Sequence, residues 1–66
     1  MFKKGDLVKV DRITCETFNI VIPYGIIKNI TNFECNIRFS EVCIFDDMEV
    51  FNHFSLGISK EHIGEV

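Results

Sequence analysis

The sequence predicts one small, mostly-β domain of five or six antiparallel strands. Short segments alternate between apolar and polar residues, which is typical of strands with one buried face. Turn-forming residues separate these segments at close intervals. The chain is 47% hydrophobic, with seven Phe, which is too apolar for a disordered chain. We therefore expect residues 1–66 to form a single domain, with a small core because so short a chain buries only about 60% of its surface.

The first half begins with two alternating segments. Residues 7–12 predict a strand with Val8 and Val10 directed inward. Residues 18–22 also alternate, so a second strand is predicted there, with its apolar side chains on one face.

Pro23 and Gly25 interrupt the second segment, because Pro lacks a ladder donor and Gly permits positive φ. Extended chain is predicted to resume over 25–30. Residues 35–39 give the cleanest alternation in the sequence, and residues 42–45 form a further short apolar strand.

Residues 46–54 allow two interpretations. Asp46 and Glu49 have the spacing of a helix capping box, and the apolar residues that follow recur at helical spacing. Alternatively, Asp46 and Asp47 form the turn of a hairpin between two short strands. The β-rich neighbouring segments favour the hairpin.

Another strand is predicted over 54–58, and Ser59 can cap a short helical turn over 60–63 near the C-terminus. The predicted core is Val8, Val10, Ile20, Ile22, Ile27, Ile30, Ile37, Phe39 and Ile63.

Four segments together resemble a known family of small domains: 2–10, with its Gly-Asp turn before a Val-rich strand, then 25–30, 36–39 and 58–63. The chain resembles SH3-like barrels of the KOW and Tudor-like kinds. The resemblance implies a small SH3-like barrel, closed or nearly closed, with the helical turn before its last strand. Such folds host unrelated functions, so it implies a shape only. Residues 46–54 depart from a minimal barrel, and an insertion there is a candidate for the functional part.

Neither a metal site, a cofactor nor catalysis is predicted. Cys15, Cys35 and Cys43 are odd in number and lack C-x-x-C spacing, so we expect reduced, buried and inert thiols. His53 and His62 add no recognisable zinc spacing. The sequence contains no nucleophile and base at a spacing that indicates catalysis.

The expected location is the cytoplasm. No signal peptide follows the first residues, and no apolar run approaches the roughly 18 residues of a membrane span. The chain lacks Ala, Gln and Trp and is rich in Ile, Phe, Asn, Lys and Glu, as in AT-rich coding. This composition fits a low-GC bacterium or, more narrowly, a phage or mobile-element accessory protein.

The formal charge is divided unevenly, with +2 on residues 1–33 and −5 on residues 34–66. A nucleic-acid-binding domain normally carries a basic face. The sequence pI of about 5.2 therefore makes nucleic acid the alternative partner. The residues that would serve it are Lys3, Lys4, Lys9, Arg12 and Lys28.

The preferred hypothesis is a non-enzymatic module that binds another protein, a host factor if the chain is phage-encoded. Whether binding inhibits or recruits that protein is left open by the sequence. Aromatic side chains within a charged rim are typical of protein interfaces. The residues of this acidic, aromatic surface are Glu41, Phe45, Asp46, Asp47, Glu49, Phe51 and Phe54. A simpler interpretation of the acidic residues is a solvated loop. Seven Phe in so short a chain also predict a homodimer, with Phe45, Phe51 and Phe54 facing the second subunit.

Overall fold

A computed structural model describes residues 1–66. The chain forms one antiparallel sheet of five strands, a single α-helix and a 3-10 turn. In chain order these are β1 Leu7–Val10, α1 Arg12–Phe18, β2 Tyr24–Ile30, β3 Glu34–Phe45, β4 Met48–Ser59, the 3-10 turn Lys60–His62 and β5 Ile63–Glu65. The α-helix connects β1 to β2, and the 3-10 turn connects β4 to β5. The strand order is β4-β3-β2-β1-β5. The mostly-β class and the helical turn near the C-terminus are confirmed, but the sheet is not closed into a barrel, because β4 and β5 do not pair.

The core lies on one face of the sheet, which we call the inner face. Side chains alternate across a strand, so every second residue of β1, β2 and β3 contributes to it. The core consists of Val8, Val10, Ile20, Ile27, Cys35, Ile37, Phe39, Ile58 and Ile63. Of the predicted core residues, Ile22 is only half-buried and Ile30 is exposed, because Ile30 is the last residue of β2. Cys35 and Ile58 are buried in addition.

The prediction of a strand over 18–22 is wrong. Phe18 is the last residue of α1, Asn19 caps this helix, and residues 20–22 lie in the loop before β2. The Asp11 carboxylate caps this helix by accepting a hydrogen bond from the Thr14 amide at 3.0 Å. Asn19 ends the helix in the left-handed conformation, with φ 57°. Thr14 is buried and Cys15 packs against the core, so α1 packs on part of the inner face. The predicted first strand stops at Val10, because Asp11 caps the helix instead.

The hairpin interpretation of residues 46–54 is confirmed. β3 and β4 pair from Glu34 opposite Ser59 to Phe45 opposite Met48. The segments predicted as separate strands at 35–39 and 42–45 are therefore parts of one strand, and 54–58 belongs to the same strand as 48–53.

β2 covers only the first part of β3. Its pairing with β3 extends from Cys35 to Phe39 and no further. Residues 40–53 therefore leave the sheet as a two-stranded ribbon, which we call the arm. The arm accounts for the elongated shape of the molecule, whose extents are 42 × 23 × 18 Å.

Gly25 allows β2 and β3 to approach closely beneath the core. Gly25 lies between Val8 of β1 and Phe39 of β3. A Cβ at this position would collide with the Ile37 side chain and would lie 2.8 Å from the Arg38 carbonyl oxygen. The absence of a side chain is thus a packing requirement of the core.

We predict that Gly25→Ala destabilises the fold by about 1–3 kcal/mol, because the buried backbone of β3 must shift to admit the methyl group. Urea unfolding measures the change. Gly64→Ala is the matched control, since its Cβ would meet only the Lys9 carbonyl oxygen at 3.9 Å; its effect should stay within about 0.5 kcal/mol. Equal stability of the two variants would contradict this account of Gly25.

Asp11 also connects the start of α1 to the 3-10 turn. Its second carboxylate oxygen lies 2.8 Å from Nδ1 of His62, and its amide donates to the His62 carbonyl oxygen at 2.9 Å. The hydrogen bonds from Thr14, together with the contact to His62, lower the pKa of the Asp11 carboxyl from 3.8 to about 2. The ionised form of Asp11 is therefore the one that stabilises the fold.

We predict that Asp11 makes stability depend on pH in a defined window. Its folded pKa lies below its unfolded pKa, so its contribution is complete above about pH 4 and is lost as the pH falls toward 2. The difference in unfolding midpoint between wild type and Asp11→Asn should shrink across that window. Asn preserves the helix cap, so the comparison isolates the charge. A difference independent of pH would contradict the assignment.

Candidate protein interface

The arm exposes an unusual number of apolar side chains for a ribbon of 14 residues. Ile44, Phe45, Met48 and Phe51 are each about two-thirds exposed, at 69%, 71%, 66% and 65%. Val42 and Val50 are also exposed. An isolated two-stranded hairpin is at best marginally stable in water, and these side chains bury little against the rest of the chain. The arm is therefore the part of the molecule that gains most from a covering partner.

The inner face of the arm continues the core face of the sheet. Residues directly opposite each other in an antiparallel pair share a face. Cys43 opposite Val50 and Phe45 opposite Met48 thus form an apolar quartet toward the tip.

One polar pair separates this quartet from the core. Asn52 donates a hydrogen bond from Nδ2 to Oε1 of Glu41 at 3.0 Å. Glu41 and Asn52 also lie opposite each other on the inner face. The pair orders the base of the arm and leaves the quartet beyond it as a distinct patch.

The outer face of the arm carries a second apolar group. Val42 lies opposite Phe51, and Ile44 lies opposite Glu49. Nearer the sheet, Ser40 and His53 form a cross-strand hydrogen bond of 2.8 Å between Oγ and Nδ1. Both faces of the ribbon are therefore apolar at their centres, unlike a strand pair with one solvated face.

The tip of the arm consists of two acidic residues in a strained conformation. Asp46 and Asp47 both have positive φ, at 48° and 61°. This is the pattern of a type I′ hairpin turn, for which Asn-Gly or Asp-Gly is favoured. A second Asp in place of Gly keeps a charge at the tip at some conformational cost.

The structure brings all seven residues of the predicted acidic, aromatic surface onto or beside the arm, but on different sides. Glu41, Phe45 and Phe54 lie on the inner face, Glu49 and Phe51 lie on the outer face, and the two Asp residues form the tip. Phe54 belongs to the core periphery, because its ring stacks on Phe39 at a centroid distance of 5.5 Å. It is therefore not free to receive a partner.

Sequence reasoning missed several apolar residues of the site, which are Val42, Cys43, Ile44, Met48 and Val50. Residues 42–45 were predicted only as a short apolar strand, in which Phe45 was assigned to the contact surface and Cys43 to the buried thiols. That pattern also fits a strand exposed on both faces. These residues are exposed because β2 ends before it reaches this part of β3.

Charge separates the arm from the rest of the chain. Residues 40–53 contain four acidic residues and no Lys or Arg, so the arm carries −4 and the remainder +1 of the net −3. A partner that covers the arm must therefore tolerate or complement negative charge.

The basic residues of the nucleic-acid alternative lie on several different elements. Lys9 lies on the outer face, with Nζ 5.7 Å from the centroid of the Tyr24 ring. Arg12 begins α1 on the inner side and forms an ion pair with Glu16 at 3.0 Å. Of the remaining residues, Lys3 and Lys4 precede β1, and Lys28 lies at an irregularity of β2.

The cysteines fit the expectation of inert thiols only in part. Burial raises the thiol pKa of Cys15 and of Cys35. Cys43, which was expected to be buried, is exposed on the arm. No three His, Cys, Asp or Glu side chains are grouped to hold a metal ion.

No family model, curated protein or solved structure matches this chain. Its single α-helix is too short to cross a membrane. The fold and the site thus define a small antiparallel-sheet domain with a projecting acidic, apolar β-ribbon.

We predict that Asp46→Asn with Asp47→Gly stabilises the hairpin by about 0.5–1 kcal/mol, because both residues suit positive φ. The gain should appear as slower amide hydrogen exchange in the arm and a higher urea midpoint. Glu49→Asn is the control, since it also removes arm charge but relieves no positive φ. An equal gain in the control would assign the effect to charge repulsion.

Proposed function

We propose that the chain is a non-enzymatic module that binds another protein through the inner face and the acidic tip of the arm. The observation that carries the proposal is the exposed quartet Cys43, Phe45, Met48 and Val50 on a ribbon that projects beyond the core. Projection makes the quartet accessible to a partner surface, and a phenyl ring beside a Met is an effective interface anchor.

The acidic tip indicates that the partner's contact surface is basic. Charges at the rim of an interface act mainly on the rate of association and on its salt dependence. Asp46 and Asp47 hold negative charge in a turn where Gly would be less strained, which favours a role for the charge itself. The partner surface we infer is an apolar pocket bordered by Lys or Arg.

An SH3-like origin for the sheet is part of the proposal. The order β5-β1-β2-β3-β4 and the 3-10 turn directly before β5 support it. The long β3–β4 ribbon is the departure from a minimal barrel and the location of the proposed site. A phage origin, a host factor as the partner and inhibition of that factor stay predictions.

The test compares capture of proteins from a bacterial lysate by the wild type and by Phe45→Ser. Loss of an aromatic anchor costs about 2 kcal/mol, on the order of thirtyfold in Kd. Phe33→Ser is the matched control, because Phe33 is a highly exposed Phe in the β2–β3 turn, outside the arm. We expect a partner that Phe33→Ser retains and Phe45→Ser loses, with the difference confirmed on the purified partner.

A second variant, with Asp46→Lys and Asp47→Lys, addresses the tip. Association with the purified partner should slow and lose its salt dependence, while far-UV circular dichroism stays unchanged. Equal recovery of every protein by all variants would contradict the proposal. Nucleic acid retained in place of protein would favour the basic N-terminal half as the functional part.

A further inference from the structure

We propose that the outer face of the arm is a homodimer interface, in which a second copy packs head-to-tail. A two-fold axis crosses the ribbon at the Val42–Phe51 pair and places each Arg38 against the acidic tip of the other copy. The proposal goes beyond the inner-face function, because its apolar centre lies on the opposite side of the ribbon and leaves the inner quartet free in both copies. Only the acidic tip takes part in both contacts.

The centre of this interface is apolar and self-complementary. Val42 and Phe51 are directly opposite each other, and Ile44 is the next residue of β3 on the same face. All three are exposed. In a two-fold dimer the same patch meets itself, so the central pair must accept its own copy. Two Phe51 rings flanked by branched aliphatic side chains satisfy that condition.

The charges are spaced symmetrically about this centre. Arg38 lies on the same face four residues before Val42, and Asp46 begins the tip turn four residues after it. At about 3.3 Å per residue, each is roughly 13 Å from the axis. Head-to-tail packing therefore brings Arg38 onto the partner's acidic tip. Arg38 has no salt bridge within its own chain.

An intermediate row on each side of the centre is also complementary. His53 lies two residues from Phe51 toward the sheet, and Glu49 lies two residues from it toward the tip. An axis across the ribbon lays one β4 over the other, so His53 of each copy faces Glu49 of its partner. The Nδ1 atom of His53 is engaged by Ser40, which leaves Nε2 for that carboxylate.

Parallel packing of the two arms would have the opposite electrostatic result. A two-fold axis along the ribbon would place the two acidic tips against each other and both Glu49 side chains at the same end, with no Lys or Arg in residues 40–53 to offset them. Like charges held together disfavour association. The charge pattern thus selects the head-to-tail arrangement.

The size of the face indicates a weak dimer. A ribbon face roughly 30 Å long and 10 Å wide buries on the order of 400 Å² per copy, against about 800 Å² in a standard interface. Association in the micromolar range, weakened by salt, is therefore the expected behaviour.

Sedimentation velocity tests the proposal by measuring the mass of the protein at concentrations from about 10 to about 500 µM. This range is chosen to span the expected micromolar Kd. The wild type should rise from 7.7 kDa toward twice that mass. Phe51→Ser on the outer face should weaken association at least tenfold. Phe45→Ser is the matched control, because it removes an equally exposed ring from the inner face of the same arm and should leave the dimer intact. Partner capture should show the reverse pattern, which separates this proposal from the proposed function.

A charge-exchange experiment tests the head-to-tail geometry. Arg38→Glu alone, and Asp46→Lys with Asp47→Lys alone, should each remain monomeric, because like charges then meet at both ends. A mixture of the two should form a heterodimer, since each end again joins opposite charges. Far-UV circular dichroism on each variant confirms folding.

Three results would overturn the proposal. The first is a wild type that stays at 7.7 kDa throughout the concentration range. The second is a dimer lost in Phe45→Ser but kept in Phe51→Ser. The third is a dimer whose two charge variants fail to associate on mixing.

Discussion

The unequal lengths of β2 and β3 are the constraint on which the rest of the molecule depends. β3 and β4 each have twelve residues and pair along their whole length, whereas β2 pairs with β3 only up to Phe39. Up to that residue the inner face forms the core, against which Phe2, Cys15 of α1, Phe54 and Leu56 pack. Beyond it the same two strands carry apolar residues with nothing packed on them.

That division explains why one hairpin has two physical roles. Close to the sheet, Cys35, Ile37 and Phe39 are fully buried, and Gly25 allows the neighbouring strand to approach. In the arm the alternation of the strand presents apolar residues on both faces, since no face is reserved for solvent. A chain of 66 residues has little surface left with which to cover them. In our proposals the inner face serves a different protein and the outer face a second copy of the chain.

The electrostatics of the arm follow the same division. Surface charges contribute little to folding stability, so acidic residues at an exposed tip need not be explained by the fold. The arm is instead negatively charged toward its tip and has an unpaired cation, Arg38, at its base. The ribbon therefore has an electrostatic polarity along its length. The Asp11 cap, at the other end of the molecule, is a contrasting case. Its carboxylate is held by Thr14 and His62 and serves the local structure of α1.

Local patterns in the sequence determined the fold class, most of the core and the hairpin at Asp46-Asp47. Strand alternation and turn chemistry depend on only a few neighbouring residues, so they can be predicted without knowledge of the rest of the chain. The helix α1 was missed because its caps, Asp11 and Asn19, enclose only seven residues, while the apolar residues at 18, 20 and 22 imitate a strand. Only the tertiary structure decided which apolar residues are buried. Phe39 and Phe45 stand on the same face of one strand, and the difference between them is whether β2 lies alongside, which is a contact between distant parts of the chain.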